Sequence, residues 1–226
     1  MSGGLYTQLL DLACGAFLLA AVIVLWRREL AAIVRVFAVQ GVALAVIAVV
    51  LGVHEGRGDL IAVGAGIGVL RAGVLPYLMR RTLAGPGAGH AYSEEVRETQ
   101  PLVNVAASLL TAALLTLLAY AVARPLTALN PTPATRALPV GLAVVLIGFF
   151  VLVTRRRALA QVVGFLLLDN GITATAFLAT SGVPLIVELG VSFDVLLAVL
   201  VLQILTTRMR AAFGTTDIDD LRELHD

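Results

Sequence analysis

The chain reads as an all-α integral membrane protein of about seven transmembrane helices, N-terminus outside and C-terminus cytoplasmic. Three observations predict this. Of the 226 residues, 59% are hydrophobic and only 14% charged, and mean hydropathy is +0.97, whereas soluble domains run near a quarter charged. Apolar runs close to the ~20 residues that cross a hydrocarbon core recur along the chain. Arginines are distributed unequally between alternate connecting loops, as the positive-inside rule requires.

The runs lie at about 5–26, 33–53, 60–79, 102–123, 139–154, 158–180 and 184–207. The first has no basic n-region ahead of it, and Arg27 and Arg28 follow it, so Leu5–Trp26 is expected to remain as a helix rather than be cleaved as a signal. The fifth is short; it either begins earlier, through Leu138, or tilts little. Arg124 to Arg136 separates the fourth and fifth, and Pro125, Pro131 and Pro133 exclude a continuous helix there. Ser181–Pro184 is a tight Gly/Pro turn, making helices six and seven antiparallel neighbours.

Orientation follows from loop charge. Arg27, Arg28, Arg35, Arg80, Arg81, Arg97, Arg155, Arg156, Arg157, Arg208, Arg210 and Arg222 fall on one side, and only Arg57, Arg124 and Arg136 on the other. The richer side is the cytoplasm. Two polar pieces then face the cytoplasm: the Gly/Pro-rich, later acidic loop 80–101, and the tail 208–226. In the tail, Asp217-Ile218-Asp219-Asp220-Leu221-Arg222-Glu223-Leu224 resembles a helix start. It is either a frayed end or a docking peptide for a cytoplasmic subunit, presented through Asp217, Ile218, Asp219, Leu221 and Leu224.

Composition also narrows the chemistry. A net charge of +1 argues against nucleic acid as a partner. The single cysteine, Cys14, excludes a disulfide framework and a cysteine metal cluster. His54, His90 and His225 have no ligand spacing. Gly64-Ala65-Gly66-Ile67-Gly68 lies within a transmembrane run, without the strand–turn–helix setting of a nucleotide loop. No nucleophile, base and oxyanion donors cluster, so the chain is not expected to catalyse a reaction alone.

The informative residues are charges at bilayer depth. Arg71 in helix three, Asp169 in helix six and Asp194 in helix seven each sit near mid-span, where a charge costs roughly 2.5–3.5 kcal/mol even on lenient insertion scales. Such groups face a partner, a cavity or an ion path. Two explanations stay open: a structural ion pair, such as Arg71 with one aspartate, or a hydrated chain that carries protons. Burial and a neighbouring guanidinium act in opposite senses on a carboxyl group's hold on its proton, and a relay needs that balance. Glu188, one turn into helix seven, is either a wet mouth or a relay member. Asn170, Gln40 and Thr173 are supporting polar groups, and Thr175 extends the same seam unless it bonds its own backbone. Gly64, Gly66 and Gly68 permit close packing beside Arg71.

The stretch Gly164-Phe165-Leu166-Leu167-Leu168-Asp169-Asn170-Gly171-Ile172, then Val183-Pro184-Leu185-Ile186-Val187-Glu188-Leu189-Gly190 and Phe193-Asp194, resembles hydrogenase-4 component E. So does the closing Thr216–Leu224. That family is in turn similar to the K subunit of respiratory complex I and to its counterpart in Mrp-type sodium/proton antiporters. The resemblance implies three parts: membrane helices one to four over 1–138, a K-type three-helix core over 139–207, and the tail 208–226. The paired glutamates of K-type subunits fall in register near Leu166 and Phe193 here, so Asp169 and Asp194 stand in at neighbouring, not identical, positions. A faint echo of Arg155–Gly171 recurs at Arg27–Gly41, hinting at internal duplication.

What the resemblance implies is a non-catalytic subunit of a redox-driven ion-translocating complex in a bacterial inner membrane. Its partners would be antiporter-like membrane subunits, a hydrogenase-type membrane anchor and cytoplasmic catalytic subunits. No cofactor would be bound by this chain; iron–sulfur clusters and a nickel–iron centre would belong to the partners. Asp169, Asp194, Glu188 and Arg71 would join a proton-relay axis. A scaffold with its charges locked in ion pairs, or an Mrp-type antiporter component, are the alternatives.

Overall fold

The computed structural model describes residues 3–27, 29–83, 104–155 and 158–180. Within them the chain is a bundle of helices, six of which are long and apolar enough to span a membrane. Helix α1 is Gly3–Trp26 and α2 is Leu30–Glu55. The third span, Gly58–Arg81, is built from α3 (Gly58–Ile67), a π-helical segment Gly68–Val74, and α4 (Leu75–Leu83). Then follow α5 (Val105–Leu129), α6 (Pro133–Thr154) and α7 (Ala158–Thr180). The expected seventh span at 184–207, like the loop beyond Leu83 and the tail, lies outside the described residues.

Helix α1 packs on α2, α2 on the third span, α5 on α6 and α6 on α7, and α2 holds the centre, touching α1, the third span and α7. Also, α1 packs on α6. Gly56 makes the sharp turn between α2 and α3 possible: it adopts a left-handed conformation (φ 70°) and its N–H donates to Gly52 O. A side chain would strain that backbone.

The closest helix pair is α6 with α7, and glycine makes it so. Gly141 and Gly148 on α6, and Gly164 and Gly171 on α7, recur seven residues apart, on one stripe of each helix. A Cβ on Gly148 would meet Leu168 N at 2.5 Å, and one on Gly171 would meet Val145 N at 2.5 Å. Close backbone approach of this kind drives helix association where lipid removes the hydrophobic incentive. Beside Arg71, Gly64 does the same against Val49 and Ala45, whereas Gly68 is only in ordinary contact and Gly66 faces nothing within 4 Å.

No continuous helix crosses 124–136, as the prolines require, but the break is shorter than expected. Helix α5 runs through Pro125 to Leu129, and α6 begins at Pro133, six residues before the expected start, with Pro139 inside it. The break is confined to Asn130–Thr132. Thr132 and Thr135 form a reciprocal capping box at the α6 N-terminus, and Pro at the first helical position lacks only an N–H that would have had no intrahelical partner. Interior prolines survive in membrane helices because neighbouring helices and local adjustments absorb the lost bond.

The third span is likewise not the plain helix expected. Pro76 has no N–H to bond Ala72 O, and the turn preceding it is widened into the π-helical segment that carries Arg71. Segments of this type concentrate at functional sites.

Candidate functional site

Arg71, Asp169, Asn170 and Gln40, singled out from the sequence on three different helices, meet in the bundle interior. Arg71 Nη1 lies 2.9 Å from Asp169 Oδ2 and donates to Asn170 Oδ1 at 2.6 Å. Asn170 Nδ2 in turn donates to Gln40 Oε1 at 3.0 Å. All four are buried. The ion pair is asymmetric: the Arg71 side chain is 1% exposed, that of Asp169 11%, so the carboxylate keeps an open edge that the guanidinium lacks.

Backbone placement makes this convergence possible. Next to Gln40, Gly41 lets α2 press against the π-helical segment: a Cβ there would meet Ala72 N and the Arg71 carbonyl carbon at 2.9 Å. Next to Asn170, Gly171 presses α7 against α6. Each polar residue is thus followed by the glycine that brings its helix into contact. The echo between 27–41 and 155–171 ends on these two Gln/Asn-Gly pairs, and Gln40 and Asn170 bond one another.

The direction of the hydrogen-bond chain is set by arginine, which can donate but never accept. Its bond orients Asn170 with oxygen toward Arg71 and nitrogen toward Gln40, and Gln40 then presents its oxygen to Asn170. Gln40 Nε2, fully buried, is left as a terminal donor with no protein acceptor among the described residues. A buried polar terminus of this kind is where ordered water binds when space allows.

An ion pair at this depth is held in place by what removal of one partner would cost. A charge stripped of its partner in a low-dielectric interior is penalised by several kcal/mol. Its chemical capacity is to keep a carboxylate at bilayer depth, with amide donors and acceptors leading away from it.

Other expected residues divide clearly. Thr173 is buried on α7; Thr175 bonds its own backbone at Gly171 O (2.8 Å) and fills the space against Gly141. Asp194, Glu188, Asp217, Ile218, Asp219, Leu221 and Leu224 lie outside the described residues. Among those described, no three His, Cys, Asp or Glu gather as a metal site would require.

Arg155 is the residue sequence reasoning missed. Counted only as a loop charge, it is 3% exposed and its Nη2 donates to Val24 O (3.4 Å) and Leu25 O (3.2 Å). It supplies donors to carbonyls in the last turn of α1, where a cation is favoured, and ties the first span to the end of α6. The available signal was its place first in a basic run at the end of an apolar helix.

No family model matches the chain, and no solved structure matches it. A protein of Mycobacterium tuberculosis, the uncharacterised protein Rv0085, is 50% identical over 226 residues, covering the whole of both chains. Hydrogenase-4 component E of Escherichia coli K12 is 33% identical over 115 residues, 51% of this chain and 53% of that one. The same figures hold for its counterpart in Shigella flexneri. The present chain thus aligns with about half the length of those hydrogenase-4 proteins and with all of the mycobacterial protein, to whose family it belongs.

Proposed function

We propose that the chain is a non-catalytic membrane subunit of a hydrogenase-4-like, redox-driven ion-translocating complex in the bacterial inner membrane, contributing a buried carboxylate to its proton relay. The observation that carries this is Asp169: a partly open carboxylate paired with Arg71 at 2.9 Å and beside an Arg71–Asn170–Gln40 hydrogen-bond chain. Similarity to hydrogenase-4 component E over half the chain supports the class of complex. Asp169 takes up and releases the proton, Arg71 balances its charge, and Gln40 Nε2 marks where water continues the path. Asp194 and Glu188, which lie outside the described residues, would extend the axis. Antiporter-like membrane subunits, a membrane anchor and cytoplasmic catalytic subunits are the partners, and iron–sulfur and nickel–iron chemistry resides in them.

A scaffold role is favoured by one specific feature: the same contacts tie α2, the third span and α7 together. Redox-driven proton pumping by the intact complex in vesicles separates the two. With Asp169→Asn or Asp194→Asn, and assembly checked by pull-down, a relay loses pumping while the complex still turns over. A scaffold keeps pumping in both variants, and it also tolerates an Arg71→Asp/Asp169→Arg exchange.

A further inference from the structure

At the end of the bundle opposite Arg155, α5 and α6 enclose an open cavity of about 380 Å³ lined by Tyr120, Ala121, Arg124, Thr127, Arg136 and Pro139. Its lining holds two guanidiniums and no carboxylate. Three arginines lie at this end among the described residues. Arg57 is committed to Asp59 through contacts of 2.6 and 3.3 Å, and the other two both face the cavity without an ion pair among the described residues.

Arg136 closes the first turn of α6, where the helix dipole disfavours a cation. The Thr132 and Thr135 amides of that terminus are engaged by each other's side chains, so the guanidiniums are the charged donors that face an incoming anion. Two cations with no ion pair among the described residues, together with a positive helix end, make a strongly positive concavity. Guanidinium forks suit the oxygens of a phosphate.

Below the cavity, α5 turns a leucine-rich face outward. Its inward face is small (Ser108, Ala112, Ala119 and Ala123 are buried), while Leu110, Leu114 and Leu117 are 64%, 58% and 67% exposed. The spacing Leu110–Leu114–Leu117–Ala121–Arg124 is four, three, four, three, a single stripe along the helix that ends in the cavity. From Arg124 to Leu114 is ten residues, about 15 Å of helix, roughly one leaflet of hydrocarbon. Tyr120 sits at the boundary, as aromatic side chains do at headgroup depth.

We propose that this cavity binds the phosphodiester headgroup of an anionic phospholipid, with Arg124 and Arg136 on the phosphate and the acyl chains along the Leu110–Leu114–Leu117 stripe. The site is separate from the Arg71–Asp169 cluster and does not depend on its function.

The test is native mass spectrometry of the full-length chain in mild detergent, titrated with phosphatidylglycerol, phosphatidylcholine and inorganic phosphate. Phosphatidylglycerol should bind wild type in preference to phosphatidylcholine. Arg124→Gln/Arg136→Gln should weaken it by about thirtyfold, as expected when two interfacial arginines are neutralised. Arg57→Gln should leave it unchanged. A photoactivatable phosphatidylglycerol should label wild type within residues 110–139, independently of how any variant folds. Binding unchanged in the double variant, or labelling elsewhere, overturns the site. Inorganic phosphate competing as well as the lipid overturns the lipid assignment.

Discussion

Arg71→Met removes one half of a buried ion pair and leaves Asp169 as an uncompensated charge. Two unit charges 2.9 Å apart attract by about 6 kcal/mol at an effective dielectric constant near 20. Much of that attraction is already offset by the desolvation of both ions, so its loss is not the measured quantity. Removing one partner from a buried pair costs about 3–5 kcal/mol, because the remaining ion keeps its desolvation penalty. Asn170 Oδ1 also loses its donor. The double variant Arg71→Met/Asp169→Leu removes both charges and should regain most of the loss, since apolar replacements of buried pairs are often neutral. Cys14, the sole cysteine and 3% exposed, provides the assay: its labelling by a thiol reagent during a denaturing-detergent titration reports opening of the bundle. A single variant within about 1 kcal/mol of wild type, the level of a surface pair, refutes the buried-pair account. So does a double variant less stable than either single change.

Four further outcomes are expected in the same assay. Gly171→Val should destabilise by about 1–3 kcal/mol or more, the cost of overpacking, since its Cβ meets Val145 N at 2.5 Å; Gly66→Ala, with nothing within 4 Å, should be neutral or slightly stabilising through helix propensity. Arg155→Gln should cost about 1.5–3 kcal/mol, the range for hydrogen bonds to a charged group, through the freed carbonyls of Val24 and Leu25. Gln40→Leu should cost about 1–3 kcal/mol by leaving Asn170 Nδ2 buried without an acceptor.

The helical membrane architecture was legible because a hydrocarbon core demands about twenty apolar residues whatever the packing. Arg71 and Asp169 were legible for the converse reason: a charge at that depth has to be paired or functional. Their pairing with each other was one of several options, since spacing along separate helices does not say which faces meet. Gln40 and Asn170 were recognised as polar support, but their bond depends on which faces of α2 and α7 meet, which the spacing along each helix does not give. Proline was legible in part: the interruption between α5 and α6 exists as expected but is short. Pro125 and Pro133 do not bracket a long break, because membrane helices accommodate interior proline. Pro76 lies inside an apolar run with no outward sign that its missing N–H adjoins the π-helical segment that carries Arg71. Arg155 was hidden within a run of three arginines, where topology alone accounts for the charge.

The central claim is that Asp169 changes protonation as the complex turns over. Redox-induced infrared difference spectroscopy on the intact complex tests it most directly. A carboxyl C=O band should appear on cycling between oxidised and reduced states, vanish in Asp169→Asn, and return shifted in Asp169→Glu. A difference spectrum identical in wild type and Asp169→Asn would mean that Asp169 keeps one protonation state throughout and serves only as the partner of Arg71.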